Sequence, residues 1–147
     1  KMFIISKCLL GENCKYDGGN NRNEKVIEFC KEHSYIAVCP EAAGKLPCPR
    51  PPAERSGEKV IDKEGKDVTH NFQEGAYRCF LECLQEAVRR GERLDGAILK
   101  ANSPSCGYRE IYDGTFTGTL VEGNGVFAQI VENDNIEIIT EKENIKW

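Results

Sequence analysis

The stretch Gly96-Ala97-Ile98-Leu99-Lys100-Ala101-Asn102-Ser103-Pro104-Ser105-Cys106-Gly107 decides how the chain is read. Its apolar run, Ala97 to Leu99, fits a strand buried on both faces, and it stops at a loop of turn formers, Ser103 to Gly107. Open parallel sheets bind ligands beyond the carboxyl ends of their strands, so Cys106 stands where chemistry is expected. Two other runs end the same way. Met2-Phe3-Ile4-Ile5-Ser6 leads to Cys8, and Tyr35-Ile36-Ala37-Val38 leads straight into Cys39-Pro40-Glu41. If all three are parallel strands, Cys8, Cys39 and Cys106 meet at one edge of a sheet.

The segments between these runs support that arrangement. Asn21 or Asn23 caps a predicted helix from about Glu24 to His33, with Val26, Ile27 and Phe29-Cys30 as its apolar stripe. A longer helix is predicted from Thr69 to about Arg90, with Asp67 or Thr69 as cap and Gly91 as terminator. Its buried stripe reads Phe72, Ala76, Cys79-Phe80, Cys83-Leu84 and Ala87-Val88. Asn124 would cap a third helix running to about Glu132, before a last strand at Ile136 to Ile139. Strand and helix thus alternate. The expected fold is a single α/β domain over residues 1–147, three-layered and Rossmann-like, with a mainly parallel sheet of about four strands. Helices cover both faces, and the site lies at the carboxyl ends of the strands. The segment Cys39 to Pro52 holds five of the six prolines, which speaks against regular structure there. Glu58 to Asp67 reads as a small exposed hairpin or an irregular excursion, and Ile111 to Phe116 as a turn between short extended pieces.

Composition bounds the function. With 39 % hydrophobic and 30 % charged residues, the 147-residue chain matches an ordinary globular domain, and no apolar run is long enough to span a membrane. The apolar start, Met2 to Ser6, is too short for a signal-peptide core, so a cytoplasmic location is expected. A net charge of -4 without a basic stripe argues against nucleic acid as the main partner. Eight cysteines in such a chain point to a metal or thiol site rather than a disulfide framework.

Cys30, Cys79 and Cys83 fall in helical patterns, where a cysteine packs as a small hydrophobe. Cys8, Cys39 and Cys106 follow strands, and packing alone would place them inside strands instead. Thiolates that converge from separate loops hold zinc or an iron-sulfur cluster. A structural zinc needs four ligands, with Cys14 or Cys48 as the fourth, whereas a cluster on three thiolates leaves one iron open to substrate. Glu41, two residues past Cys39, is placed for general acid-base work. Ser103 and Ser105 are candidate hydrogen-bond donors to a ligand, and Arg50, on a stiff proline frame, either clamps an anion or pairs with Glu54. Lys100, Tyr16 and Asp17 are weaker candidates for the same site. Neither His33 nor His70 has a neighbour that makes a relay. The rival readings are a sulfur carrier or redox sensor that holds a cluster or metal without turnover, and a thiol-based redox protein.

Six motifs carry a resemblance. Ile5-Ser6-Lys7-Cys8-Leu9-Leu10-Gly11 with Tyr16-Asp17-Gly18, Val38-Cys39-Pro40-Glu41, Leu46-Pro47-Cys48-Pro49-Arg50-Pro51, Phe72-Gln73-Glu74-Gly75-Ala76, Leu99 to Gly107, and Tyr112-Asp113-Gly114-Thr115-Phe116-Thr117-Gly118 occur in order over nearly the whole chain. Together they resemble the bacterial 2-thiouracil desulfidase (TudS-like) family, formerly a domain of unknown function. The resemblance implies an oxygen-sensitive [4Fe-4S] cluster on Cys8, Cys39 and Cys106, one iron being open, with Glu41 and Ser103 catalytic and the cluster prone to loss in air. It also implies a small thiolated base or nucleoside as substrate, converted without net electron transfer to its oxo form and sulfide by a monomer or homodimer. Lys45, Cys48 and Lys15 depart from the family's usual residues, on the expected substrate side.

Overall fold

The computed structural model describes all 147 residues. Four parallel strands form the central sheet: β1 (Met2–Ser6), β2 (Ser34–Val38), β5 (Leu94–Leu99) and β8 (Glu137–Thr140), in the order β2-β1-β5-β8. Two antiparallel hairpins stand apart from it, β3 (Ala53–Ser56) with β4 (Lys59–Asp62), and β6 (Glu110–Tyr112) with β7 (Leu120–Glu122). The helices are α1 (Glu24–Glu32), α2 (Pro40–Ala43), α3 (Thr69–Arg90) and α4 (Val126–Asn133). None is long and apolar enough to cross a membrane.

Alternation in β1 explains the layers. Met2 and Ile4 face α3 and α4, in a core with Ala76, Cys79, Cys83, Phe127 and Val131. Phe3 and Ile5 face α1, packing with Val26, Phe29 and Ile98. All five residues of β1 are buried, as a strand covered on both sides requires. The register aligns the strand ends: Ser6 pairs with Val38, Ile5 with Ile98, and Leu99 with Thr140. Four chain segments therefore leave the sheet at one level, carrying Cys8, Cys39, the Cys106 loop and Glu141.

Several local expectations need correction. The proline-rich segment is not wholly irregular, because Pro40 begins the one-turn helix α2, where its missing N–H leaves no bond unmade. Helix α3 takes no side-chain cap at Val68; Asp67 instead accepts from the Thr69 amide, and the Thr69 hydroxyl accepts from the Val60 amide. Asn124 does not cap α4 either, since Gly125 occupies that position and the Asn124 Oδ1 accepts from the Arg109 amide. The first amides of α4 donate to Pro104 and Ser105 carbonyls, at 2.9 Å from Val126 and 2.8 Å from Phe127. Strand β5 starts at Leu94, three residues earlier than its apolar run. Leu84 and Val88 do not join the buried stripe of α3, being 38 % and 81 % exposed.

Helix α2 lies so close to α3 that glycine is required at the crossing. A Cβ on Gly75 would stand 1.9 Å from the Pro40 carbonyl oxygen and 2.6 Å from the Gly44 amide nitrogen. Alanine normally stabilises a helix by up to about 1 kcal/mol relative to glycine. At Gly75 the backbone clash outweighs that gain, so Gly75→Ala is expected to cost about 3 kcal/mol and lower the melting temperature by roughly 10 °C. A thermal melt decides, and an unchanged or raised midpoint would show that the two helices separate without cost.

Candidate active site

One cavity of about 500 Å3 opens at the aligned strand ends, and Cys8, Cys39, Cys106, Glu41, Ser103 and Ser105 all line it. Arg50, Lys100, Tyr16 and Cys14 line it as well. Each cysteine has its own holder. Cys8 lies in a 3-10 turn, Lys7–Leu10, that ends at Gly11 with φ 95°. Its carbonyl accepts from the Asn21 amide at 3.0 Å, while the Asn21 side chain donates to its sulfur at 3.4 Å. Cys39 is the residue before α2, and its carbonyl accepts from the Ala43 amide at 3.0 Å. Cys106 is 4 % exposed, with its amide donating to Ser103 Oγ at 2.7 Å. Because α4 is anchored on the carbonyls of Pro104 and Ser105, the Cys106 loop moves only if that helix moves.

Glu41 is the most firmly oriented side chain in the cavity. Arg50 Nε donates to one carboxylate oxygen at 3.1 Å, and Ser105 Oγ donates to the other at 2.8 Å. The pair is shielded, with the Arg50 and Glu41 side chains only 5 % and 16 % exposed. Arg50 also donates to the carbonyls of Cys14 at 2.8 Å and Pro47 at 3.2 Å, so one guanidinium ties the Cys14 loop and helix α2 to its own loop. The expected alternatives for Arg50 were an anion or Glu54; the structure gives it Glu41. Glu54 instead accepts from the Gly114 and Phe116 amides, holding the β6–β7 loop beside the cavity. Ser103 turns its oxygen to the Cys106 amide and lies 3.3 Å from Ser105 Oγ, so Ser105 is the serine that touches Glu41.

The thiols differ in proton affinity. The neighbouring Cys14 side chain lowers Cys39 to about 6, helped by the Ala42 amide and opposed by burial, and the Cys39 sulfur lies 3.9 Å from the Cys14 carbonyl. Cys14 is raised in return, as the partner that keeps its proton. Burial raises both Cys8 and Cys106, each opposed by a hydrogen bond, from Asn21 and Ser6 respectively. Burial also pushes Cys79 and Cys83 up to about 12, and neither lines the cavity. Cys48 does not line the cavity, and its sulfur lies near the carbonyls of Lys15 at 3.3 Å and Asn13 at 3.4 Å.

Not every candidate reaches the site. Asp17 does not line the cavity; its carboxylate accepts from the Gly19 amide at 2.9 Å within its own loop. Of the three departures from the family pattern, Lys15 lines the cavity and Lys45 and Cys48 do not. Lys100 pairs with Glu141 at 3.0 Å. Glu141 was not anticipated, although it follows the last strand as Cys39 follows the second, and the same positional argument would have found it. His33 stacks on Phe29 at 3.9 Å between ring centroids, and His70 pairs with Glu74 on the surface.

No three His, Cys, Asp or Glu side chains converge closely enough to share a single metal ion. A four-iron cluster asks for something else, because each coordinating thiolate binds a different iron and the sulfurs must ring the cluster. Cys8, Cys39 and Cys106, entering one cavity from three separate strand ends, are a donor set of that kind.

Comparison with known proteins agrees in outline. The family model for 2-thiouracil desulfurase matches residues 3–143. A Bacillus subtilis (strain 168) protein described as uncharacterized protein YbbK is 34 % identical, over 97 % of this chain and 97 % of its own. The solved structure of the [4Fe-4S]-dependent thiouracil desulfidase TudS superposes with a TM-score of 0.83 at 38 % identity, covering 97 % of this chain and 91 % of that one.

Proposed function

The chain belongs to the 2-thiouracil desulfurase family, and from that premise we propose that it removes sulfur from a thiolated pyrimidine base or nucleoside, releasing sulfide. The observation that carries the reading is the meeting of Cys8, Cys39, Cys106 and Glu41 in one cavity. Cys8, Cys39 and Cys106 would hold a [4Fe-4S] cluster, as the TudS relative's description states for that protein. Such a cluster on three thiolates supplies one soft, Lewis-acidic iron suited to a thiocarbonyl sulfur.

The protein's own residues supply the rest. Glu41, fixed by Arg50 and Ser105, takes a proton from the water that attacks the thiocarbonyl carbon and returns it to the departing sulfur or the ring. Ser103 and Ser105 present hydroxyls to the substrate's polar edge, and Lys100 brings positive charge to the cavity wall. Tyr16, Tyr112 and Phe116 supply aromatic surface for a flat heterocycle. The balance is one water consumed and one hydrogen sulfide released, with C=S becoming C=O and no net electron transfer. Eight free cysteines suit a reducing, cytoplasmic setting.

Anaerobically reconstituted protein is expected to convert 2-thiouracil to uracil with one sulfide per turnover, read by loss of thiocarbonyl absorbance and by sulfide assay. Failure of any thiolated pyrimidine to react, in protein that carries its iron, overturns the proposal. Cys39 Sγ lies 3.9 Å from the Cys14 carbonyl and both cysteines line the cavity, which favours one second reading, a thiol-disulfide protein using that pair. It requires cluster-free protein to be the active form, which the same assay separates.

A further inference from the structure

The loop between β6 and β7, residues 113–119, borders the active-site cavity, which Phe116 and Gly118 line together with Tyr112 at the end of β6. It closes on itself: the Asp113 amide donates to the Thr119 carbonyl at 3.0 Å, and Thr115 Oγ1 donates to Asp113 Oδ1 at 2.6 Å. A single residue outside the hairpin reaches it by hydrogen bonding. Glu54 Oε1 accepts from the Gly114 amide at 3.0 Å and from the Phe116 amide at 3.1 Å. Two amides turned toward one point form a concavity that suits an anionic oxygen, and Glu54 fills it.

Phe116 has a φ of 58°, in the left-handed region that glycine enters freely and a bulky side chain does not. Glycines at 114 and 118 take φ values of 97° and 78°, yet the position between them carries a phenyl ring, half-buried and lining the cavity. Strain of this kind persists only where the surroundings enforce it, and it gathers where a ligand is gripped. The bond from the Phe116 amide to Glu54 enforces it here. So does the close seating of the loop on β3, where a Cβ on Gly114 would stand 2.8 Å from the Arg55 carbonyl oxygen. The holder is itself rigid. Strand β3 pairs with β4, whose Val60 is fully buried with Val68 and Phe72 and donates its amide to Thr69 Oγ1 at 2.8 Å. Glu54 therefore ties the loop to the core under α3.

We propose that Glu54 is a positioning residue that holds the Phe116 ring as the wall covering the face of the substrate's flat heterocycle, an inference that rests on reading the cavity as a thiolated-pyrimidine site. Glu54 acts through the loop and takes no part in proton transfer. A stacked wall binds substrate and transition state alike, so its loss appears in KM and not in kcat.

In iron-loaded protein acting on 2-thiouracil, Glu54→Ala is expected to raise KM about ten-fold with kcat within about two-fold, and Phe116→Ala to do the same. Glu54→Gln keeps a carbonyl oxygen for both amides and is expected to return KM to within about two-fold of wild type. Glu54→Ala/Phe116→Ala should have a KM no higher than Phe116→Ala alone, because both changes remove one contact. Hydrogen exchange over residues 113–119 should quicken about ten-fold in Glu54→Ala and stay near wild type in Glu54→Gln. Unchanged KM or unchanged exchange in Glu54→Ala, equal losses in Glu54→Ala and Glu54→Gln, or additive losses in the double variant overturn the proposal while wild-type turnover stands. Absence of turnover in iron-loaded wild type overturns the desulfidase reading itself, and the substrate wall falls with it.

Discussion

Alanine in place of Cys8, Cys39 or Cys106 is expected to leave a folded protein that no longer holds iron, its content falling from about four per chain to below about one. Each of these cysteines lines the cavity from its own strand end, and Cys14 is the one further cysteine that lines it. Cys79→Ala and Cys83→Ala are expected to keep full iron and cost on the order of 1 kcal/mol of packing. Proton affinity does not draw this distinction, since burial raises Cys106 as it raises Cys79 and Cys83. Position does, because a coordinating metal deprotonates the thiols within its reach and leaves the rest alone. Cys14→Ala is the telling control. It lines the same cavity beside Cys39, so retained iron supports three ligands with one iron open, and lost iron makes Cys14 a fourth ligand and closes the position that substrate needs. Iron and acid-labile sulfide analysis after anaerobic reconstitution reads all of these variants.

The sheet was legible because its signal is local. Buried parallel strands are short apolar runs, and three of the four end in a cysteine or a cysteine loop, so a parallel sheet with those cysteines at one edge is legible, whereas the order β2-β1-β5-β8 is set by packing that no local run encodes. Side-chain partners were less legible. That Arg50 would choose Glu41 over Glu54 depends on the path of the segment from Pro47 to Pro52, which no periodicity encodes. Cap positions failed for a related reason. Asn124 has the right chemistry to begin a helix, but the loop carbonyls of Pro104 and Ser105 reach the first amides of α4, which frees Asn124 for Arg109. The misplacement of Leu84 and Val88 has another origin. Helical periodicity marks which residues share a face, and α3 has two apolar faces with nothing in their spacing to say which one the sheet covers.

Glu41→Gln is expected to lower kcat by roughly 100-fold or more while leaving iron content and KM nearly unchanged. The substitution is close to isosteric. A glutamine carbonyl still accepts from Arg50 Nε, and its amide can donate to Ser105 Oγ, which reverses that bond without breaking it. Arg50 loses a formal charge partner in a shielded place but keeps the carbonyls of Cys14 and Pro47, so the stability cost is about 1–2 kcal/mol, well short of unfolding. What disappears is a group able to take a proton from water and give it back. Ser105→Ala tests the orientation of that group instead: Glu41 keeps its charge and its Arg50 contact but loses the hydrogen bond on its second oxygen. A smaller fall of about ten-fold is expected there, with the iron signature intact. Full turnover in Glu41→Gln, in protein carrying its complete iron, would mean that the proton moves by another route and that Glu41 serves only to hold Arg50 and the segments it ties.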